Sequence, residues 1–255
     1  MLQPEQREDA SRQTIGHHLW TKRCIHLAVG QLATELIYLA YPIHFSTFVI
    51  SLIEPPQSYM KVLYLATHNA HKLLEIQSML GDSCEVRSAS SLGHYTAPEE
   101  SASTLLGNAT IKAQALYDLY HKPCIADDTG LFVEALGGDP GVHSARYAGR
   151  DGDDVANRKH LLDSLASHPE PWRAYFECVI VLIDSQGEQH HFVGRVAGRI
   201  IDHEEGAEGF GYDSLFVPED FDKTFAMMSP QEKNAISHRT RAVDQLRTYL
   251  TKHSL

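Results

Sequence analysis

The amino-acid sequence predicts an α/β fold, because apolar runs rich in strand-forming residues alternate with segments of helical spacing. The first such unit is an apolar run over residues 61–66, a polar loop over residues 67–72, and leucine and isoleucine residues at helical spacing as far as Gly81. The chain of 255 residues, with 43% hydrophobic and 22% charged residues, is long enough for one large α/β domain or two small ones.

The later predicted elements continue this alternation. In chain order they are a short strand near residues 84–87, a helix over 104–120, an apolar strand after Pro123 that ends at Asp127 and Asp128, a helix over 153–168, and two strands over 173–184 and 189–201 that form a hairpin. The last segment begins with Ser229-Pro230-Gln231-Glu232, a capping box with proline at the first helical position.

The first 58 residues differ in character from the rest of the chain. Residues 36–53 carry no formal charge and reach the lower length limit for a membrane span, but Pro42 and His44 inside this segment disfavour a lipid-exposed helix. The segment also begins too far from the first residue for an ordinary secretory signal. We therefore expect residues 1–58 to be an extension of unknown role, either an accessory appendage or a non-native leader, and no membrane anchor. The Pro55-Pro56 step is the best boundary before a main domain of residues 59–255.

The charge and the cysteines narrow the class of function. A formal net charge of -11 argues against a nucleic acid partner, because that affinity depends on Lys and Arg side chains that neutralise phosphates. A small anionic ligand is still compatible if local basic residues and a metal bind it. The cysteines lie far apart without a C-x-x-C pair, which indicates neither a zinc site nor a dithiol redox site; they are Cys24, Cys84, Cys124 and Cys178. Their apolar neighbours predict reduced, buried thiols in a cytoplasmic protein.

Two adjacent carboxylates, Asp127 and Asp128, follow an apolar strand and precede a hydroxyl and a glycine. Together with Glu99 and Glu100 they offer the hard oxygen ligands that Mg²⁺ prefers, and Asp128 could take a proton from an attacking water. The alternative is a turn at a strand end, with the two glutamates simply solvated.

A second polar group, Thr67, Asn69 and Lys72, lies where a strand passes into a helix. Backbone N–H groups, a hydroxyl, an amide and an ammonium can converge there on a phosphate. The glycines of a Walker A loop are absent. The alternative is a polar helix cap with a solvated lysine.

Two further groups suit a nucleotide base. Residues 209–213, G-F-G-Y-D, combine two glycines that admit a ligand with aromatic faces on which a base can stack, unless they form a tight turn with both aromatics in the core. Lys233, His238 and Arg239 offer donors to a phosphate and to a purine carbonyl. On an unbroken helix Lys233 and Arg239 would project about 120° apart, so either the pocket spans that angle or the helix breaks near Ser237. The alternative is a solvated basic helix face.

These groups closely resemble the inosine triphosphate pyrophosphatase family, which hydrolyses non-canonical purine nucleoside triphosphates. The likeness covers residues 60–252 in six motifs, which are T-H-N-A-H-K from Thr67, N-A-T-I-K-A from Asn108, I-A-D-D-T-G from Ile125, S-A-R-Y-A-G from Ser144, G-F-G-Y-D from Gly209 and E-K-N-A-I-S-H-R from Glu232. It implies an elongated central mixed β-sheet flanked by helices, with a substrate cleft between two lobes.

The resemblance also implies roles for individual residues. Asp128 would accept a proton and bind Mg²⁺, with Glu99 or Glu100 as a second metal carboxylate. The residues implied to contact substrate are Thr67, His68, Asn69, Ala70, His71, Lys72, Lys112 and Thr129 around the phosphates, and Phe210, Gly211, Tyr212, Asp213, Lys233, His238 and Arg239 around the base and sugar.

The implied reaction is hydrolysis of ITP, dITP or XTP to the monophosphate and pyrophosphate by a homodimeric cytoplasmic enzyme, with residues 59–255 as its nucleoside triphosphate pyrophosphatase domain. One alternative is a related house-cleaning pyrophosphatase for modified pyrimidine nucleotides, which would not predict the Ser237-His238-Arg239 motif. Another is a catalytically weak nucleotide-binding module, which is motivated by the N-terminal extension and by Gly107, where the family often has glutamate. Glu208 and Ser214 also stand where glycine and proline are usual. None of these departures removes a residue with an assigned catalytic role, so we expect activity.

Overall fold

The computed structural model describes residues 61–253 and Leu255, and in these residues it has an α/β fold. The strands are β1 (Lys61–Leu65), β2 (Cys84–Ser88), β3 (Cys124–Val133), β4 (Pro140–Gly141), β5 (Trp172–Ile183), β6 (Gln189–Ile200) and β7 (Phe216–Pro218). The helices are α1 (Ala70–Leu80), α2 (Leu105–Tyr120), α3 (Asp154–Leu165), α4 (Pro230–Ile236) and α5 (His238–Lys252). The expected extension over residues 1–58, its uncharged segment 36–53 and the Pro55-Pro56 boundary lie outside the described residues.

The strands form one mixed sheet in the order β2-β1-β3-β5-β6-β7, with β4 paired to β3 beside this path. Strand β1 runs parallel to β2 and to β3, whereas β3, β5, β6 and β7 pair in antiparallel fashion. The predicted hairpin of two long strands is β5 and β6, which pair over all twelve residues of each strand. The α/β class and the mixed sheet flanked by helices are therefore confirmed.

Helices cover both faces of this sheet. Along β5 the side chains alternate, so Cys178, Ile180 and Leu182 join the core cluster that includes residues of α1 and α5. Val181 and Ile183 point the other way and join the cluster that contains residues of α2. Because residues 178–183 of β5 are buried from both sides, their continuous apolar sequence is explained.

Helix α5 approaches the sheet very closely at Gly194 of β6. A Cβ atom at this position would lie 2.0 Å from the carbonyl oxygen of His238 and 2.5 Å from the backbone nitrogen of Ala242. Only glycine allows this contact, which seats the first turns of α5 against the sheet. The contact fixes where α5 places its N-terminal residues.

Several predicted element boundaries differ from the structure, including that of the helix predicted over residues 153–168, which is α3 and ends at Leu165. The polar loop ends at Asn69 rather than at residue 72, because the Asn69 side chain caps α1 and lets the helix begin at Ala70. Strand β3 does not end at Asp127 and Asp128 but continues to Val133, because β5 pairs with all ten of its residues. Of the two alternatives left open for Lys233 and Arg239, the structure shows the helix break: Ser237, with φ -65° and ψ 158°, ends α4 and caps α5.

The cysteine prediction is confirmed for the three cysteines in the described part of the chain, Cys84, Cys124 and Cys178, which are buried free thiols. Burial raises the pKa of Cys84 and of Cys178 to about 11, so both thiols are protonated at neutral pH. Within the same residues, no helix combines the length and the apolar character that a membrane crossing requires.

Candidate active site

Strand β3 carries the two aspartates to the point where β1 ends. It pairs with β1 only at Cys124 and Ile125, and the next residues extend past the carboxyl end of that parallel neighbour. Ligand sites in α/β sheets commonly lie at such ends. Asp127 and Asp128 are nevertheless almost completely buried, at 2% and 6% exposure. The alternative of a solvated surface turn is therefore wrong.

The two adjacent carboxylates face opposite sides of the sheet, because successive side chains of a strand alternate. Asp128 contacts α2, where Lys112 Nζ lies 2.8 Å from its Oδ1 and Asn108 Nδ2 donates to its Oδ2 at 3.4 Å. Asp127 contacts α1 and α5 instead, with Lys72 Nζ at 3.1 Å and an Arg239 nitrogen at 3.4 Å from its Oδ2. The expected group of four carboxylates is thus divided between two faces.

On the Asp128 side, Lys112 joins two carboxylates. Its Nζ donates to Glu100 Oε1 and to Asp128 Oδ1, at 2.8 Å in each case. Arg146 also contacts Glu100, with one nitrogen 3.3 Å from Oε2 and another donating to the backbone oxygen at 3.1 Å. Glu99 is exposed, whereas Glu100 is partly buried. Of the two glutamates left open by the sequence, the structure places Glu100 beside Asp128.

On the Asp127 side, a chain of ion pairs connects α1, α4, α5 and the loop over residues 209–213. Arg239 pairs with Glu75 as well as with Asp127. Lys233 Nζ lies 3.3 Å from Glu75 Oε1 and 2.7 Å from Asp213 Oδ2. Glu75 therefore links the two basic residues that the sequence assigned to the base and sugar.

In the loop before α1, where an anion site is expected, side chains accept hydrogen bonds from the first backbone N–H groups of the helix. Asn69 Oδ1 accepts from the N–H groups of His71 and Lys72, at 2.9 and 3.2 Å, and the N–H of Asn69 donates to Thr67 Oγ1. The amide of Asn69 is thus used as a helix cap, as the alternative interpretation proposed. Lys72 is not solvated, however, because it pairs with Asp127.

Two aromatic contacts involve the remaining side chains of this loop. The His71 ring stacks on Phe210 at a centroid distance of 5.8 Å, and the His68 ring stacks on Tyr95 at 5.6 Å. His71 therefore links this loop to Phe210 of the expected base site, whereas His68 contacts Tyr95, which precedes Glu100 in the chain.

The two aromatic residues of the loop over residues 209–213 differ in burial. Tyr212 is buried in the core and donates from its hydroxyl to the Ser144 carbonyl at 2.9 Å. Phe210 is only half buried, and the Lys233 ammonium and the Arg239 guanidinium lie 5.0 and 5.7 Å from its ring centroid. Phe210 is thus the aromatic residue available to a base, and the core alternative holds for Tyr212.

His238 and Arg239 are buried, at 3% and 1% exposure, so the solvated helix face is wrong for these two residues. The His238 ring stacks on Phe176 at 4.8 Å, and neither ring nitrogen has a hydrogen-bond partner among the described residues. Burial holds the pKa of His238 well below its usual value, which makes the imidazole neutral at pH 7. One of its nitrogens is then a donor and the other an acceptor.

The electrostatics of the two aspartates differ as their partners do. Burial raises the pKa of Asp128 above its usual value, against the opposing effect of Lys112 and Lys72. Burial acts on Asp127 in the same direction, but Lys72, Arg239 and Lys112 together lower its pKa well below the usual range. Of the pair, Asp128 is the better proton acceptor, and Asp127 stays ionised as the counterion of basic side chains.

The ion pairs of the site balance in formal charge. Five cationic side chains meet five carboxylates: Lys72, Lys112, Arg146, Lys233 and Arg239, and Glu75, Glu100, Asp127, Asp128 and Asp213. A polyphosphate brings further negative charge, which a divalent cation would offset. The oxygen atoms of Glu100 and Asp128 already share one cation, the Lys112 ammonium, and are the hard donors that Mg²⁺ binds. The donor set therefore fits a magnesium ion.

Three residues of the site received no role from the sequence, namely Glu75, Asn108 and Arg146. Glu75 lies three residues after Lys72, on the same face of α1, and this spacing was the available signal. Asn108 is fully buried inside α2, where asparagine is a poor helix former, which is a second signal. Arg146 ends a 3₁₀ turn, Ser144–Arg146, that comes shortly after β4. Nothing in the sequence around it predicts a contact with Glu100.

The structure shows the surroundings of Gly107 and Ser214, two of the departures from the family pattern. A Cβ atom at Gly107 would lie 2.5 Å from Cβ of Ala102, so close packing explains the glycine. Asn108 remains in position to contact both Asp128 and the Ala102 N–H. Ser214 donates to Glu204 at 3.0 Å. The chain therefore accommodates these departures without displacing Asp128 or its partners.

Comparison with known proteins identifies close relatives. The model of the Ham1 family matches residues 63–249. A dITP/XTP pyrophosphatase of Porphyromonas gingivalis is 47% identical over 191 residues, which are 75% of this chain and 98% of that protein. The Ham1 proteins of Staphylococcus aureus and Coxiella burnetii, both with solved structures, superpose with TM-scores of 0.69 and 0.70 at 37% identity. Each alignment covers 76% of this chain and 100% of the solved chain.

Replacing Asp127 with Asn should lower the free energy of unfolding by about 3 kcal/mol at pH 7, because Lys72 and Arg239 lose a buried counterion. The pKa of Asp127 is lower in the folded than in the unfolded protein. Its contribution is therefore present above about pH 4 and is lost as the pH falls toward the folded-state pKa. Urea unfolding should show the difference between wild type and Asp127→Asn shrinking below about pH 4.

The matched control for this substitution is Asp163→Asn, which removes an exposed carboxylate paired with Lys159 on α3. An exposed pair contributes less than about 0.5 kcal/mol, so this variant should unfold almost like wild type. Equal destabilisation by the two substitutions, or a difference independent of pH, would contradict the assigned role of Asp127.

Proposed function

Since the chain belongs to the Ham1 family, we propose that it hydrolyses the non-canonical purine nucleoside triphosphates ITP, dITP and XTP to the monophosphate and pyrophosphate. The name of its 47% identical relative, dITP/XTP pyrophosphatase, favours this substrate class over modified pyrimidines. The observation that carries the proposal is the pair of buried neighbouring aspartates, of which one has a raised pKa beside Lys112 and the other is ionised among basic side chains.

Asp128 is the proton acceptor in this proposal. It takes a proton from a water molecule as the water oxygen attacks the α-phosphorus, and the bond between that phosphorus and the oxygen bridging to the β-phosphate breaks. The electron pair of the broken bond leaves with pyrophosphate. Asn108 donates to Asp128 and holds the carboxylate in place. The Lys112 ammonium, which also donates to Asp128, offsets the negative charge of that carboxylate.

Magnesium is the proposed cofactor, held by Asp128 and Glu100, whose oxygens are already drawn together by Lys112. When bound, this ion would supply positive charge to the phosphoryl oxygens. Arg146 keeps Glu100 in position from the outer side. On the Asp127 side, Lys72 would then exchange part of its pairing with Asp127 for pairing with phosphate.

Selectivity is assigned to Phe210 and to the buried pair His238 and Arg239. Phe210 offers a ring on which the purine can stack. Donors from His238 and Arg239 suit the oxygen that inosine and xanthine carry at C6. Adenine has an amino group there, which is itself a hydrogen-bond donor. In ATP this group would face the donors of His238 and Arg239, and a site of this kind strongly rejects such a mismatch.

The remaining parts of the proposal rest on the resemblance to the family. They are a homodimer, a cytoplasmic location, and residues 1–58 as an extension of unknown role before a pyrophosphatase domain of residues 59–255. The match of the family model over residues 63–249 supports the last of these.

The function is tested by pyrophosphate release from ITP, XTP, dITP, GTP, ATP and dTTP, with and without Mg²⁺, in wild type and Asp128→Asn. Metal-dependent turnover of ITP and XTP should exceed that of GTP and ATP. The substitution should lower kcat by at least about 100-fold, which is the usual contribution of a general base. Asp163→Asn serves as the control and should keep wild-type rates. A folded wild type that releases pyrophosphate from none of these nucleotides would refute the proposal.

The assignment of the second metal carboxylate is tested by Glu100→Gln against Glu99→Gln. Loss of a charged ligand should raise the Mg²⁺ concentration needed for half-maximal activity by at least about tenfold in Glu100→Gln. Glu99 is exposed beside the site, so Glu99→Gln should shift that concentration less than about twofold. A larger shift in Glu99→Gln than in Glu100→Gln would assign the ligand to Glu99 instead.

A further inference from the structure

The first turns of α3 hold the loop that carries Phe210, although no residue of α3 is predicted from the sequence to belong to the site. Asp154 and Arg158 lie four residues apart, on one face of this helix. Asp154 Oδ2 accepts from the N–H of Gly211 at 2.8 Å, and Arg158 donates to the carbonyl of Gly211 at 2.9 Å. Two side chains of one helix thus bind both polar backbone groups of a single residue, the neighbour of Phe210.

Packing does not hold this residue in place. Gly211 has φ +62°, and a Cβ atom built on it would meet no other atom within 4 Å. Glycine is also the residue with the greatest backbone freedom. The two hydrogen bonds from α3 are therefore the contacts that restrict the Gly211 backbone on its outer side.

The position of Phe210 depends on this restriction. The N–H of Phe210 donates to Asp213 Oδ2 at 2.9 Å, so the loop is held from inside by Asp213 and from outside by Asp154 and Arg158. The Phe210 ring is half buried and stacks on His71, with the Lys233 ammonium and the Arg239 guanidinium 5.0 and 5.7 Å from its centroid. These neighbours leave part of the ring exposed, so its orientation also depends on the backbone on either side of it.

Arg158 also forms an ion pair with Glu204. Its Nε lies 2.8 Å from Glu204 Oε2 without hydrogen-bond geometry, and the same carboxylate oxygen accepts from Ser214 Oγ at 3.0 Å. Ser214 follows directly on the loop, at a position where proline is usual in the resembling family. A proline would restrict the backbone there, and here the connection Ser214–Glu204–Arg158 ties the end of the loop to α3.

We propose that Asp154 and Arg158 are positioning residues that hold Gly211, and through it Phe210, in the orientation in which Phe210 stacks on the purine base. This inference rests on the proposed function, because it names the part of the protein that sets recognition of the base. The two residues touch neither the phosphates nor Asp128. Their loss therefore weakens binding of the base and leaves the hydrolytic step intact.

The test compares Arg158→Ala and Arg158→Lys with Lys159→Ala, a control that removes an exposed cation from the next position of α3. Arg158→Ala should raise KM for ITP about tenfold, within the range of one base-stacking contact, with kcat changed less than about twofold. Arg158→Lys keeps a donor for the Gly211 carbonyl and should restore part of the loss. Lys159→Ala should behave like wild type.

A ligand without a base separates positioning from general loosening of the site. Inorganic tripolyphosphate is used as a competitive inhibitor of ITP hydrolysis, and its inhibition constant should be the same in wild type and Arg158→Ala. An equal rise in that constant and in KM, or an unchanged KM, would overturn the inference. If Arg158→Ala fails to fold by circular dichroism, Glu204→Gln takes its place, because Glu204 is half exposed and contacts Arg158 and Ser214 outside the site.

The expected result for Glu204→Gln is a smaller rise in KM, about threefold, again with an unchanged inhibition constant for tripolyphosphate. No rise in KM there would overturn the inference as well. A wild-type protein that does not hydrolyse ITP would refute the proposed function itself, whereas an active wild type with unaltered variants would refute only the positioning role.

Discussion

Asp127 and Asp128 are neighbours on one strand, and the alternation of β3 sends their side chains to opposite faces of the sheet. Each carboxylate meets a different set of cations, Lys112 on one side and Lys72 with Arg239 on the other. The arrangement of the other site residues depends on this division. Helix α2 supplies the groups around Asp128, and α1 with α5 supplies those around Asp127. Where α5 begins is in turn set by the close contact at Gly194.

The division explains how one acidic protein can hold a polyanion. Burying Lys112, Lys233 and Arg239 would be prohibitive without counterions, and the carboxylates of the site provide them. The cations are then held in place before the substrate arrives. A bound phosphate replaces some of these carboxylates as the partner of the cations. A metal ion offsets the remaining negative charge, so the site does not require an excess of basic residues. Such a network is compatible with a formal net charge of -11.

Much of this arrangement could be predicted from the sequence, and the rest could not for identifiable reasons. The six-residue spacing of Lys233 and Arg239 limited the possibilities to a wide pocket or a helix break near Ser237, and the Ser237 cap of α5 shows that the break is present. The continuation of β3 past its acidic pair could not be predicted, because it depends on pairing with β5, which is more than forty residues away in the chain. Local turn tendencies of Asp, Thr and Gly pointed to the opposite result.

The same limit applies to the partners of the site residues. That Lys72 pairs with Asp127 while Lys112 pairs with Asp128 is a consequence of which helix covers which face, and this is a property of the whole sheet. Burial of His238 likewise follows from its stacking on Phe176 of β5. The residue types could be identified one by one, but their grouping into two faces required the fold.

The division of labour between the two aspartates is tested most directly by the metal dependence of nucleotide affinity. The measurement is the Kd of the non-hydrolysable analogue in which methylene replaces the oxygen between the α and β phosphates of ITP, with and without Mg²⁺, in wild type, Asp127→Asn and Asp128→Asn. The account predicts that Mg²⁺ tightens binding in wild type and in Asp127→Asn, and that this gain disappears in Asp128→Asn. Loss of the gain in both variants, or its survival in Asp128→Asn, would contradict the assignment of the metal to the Asp128 face.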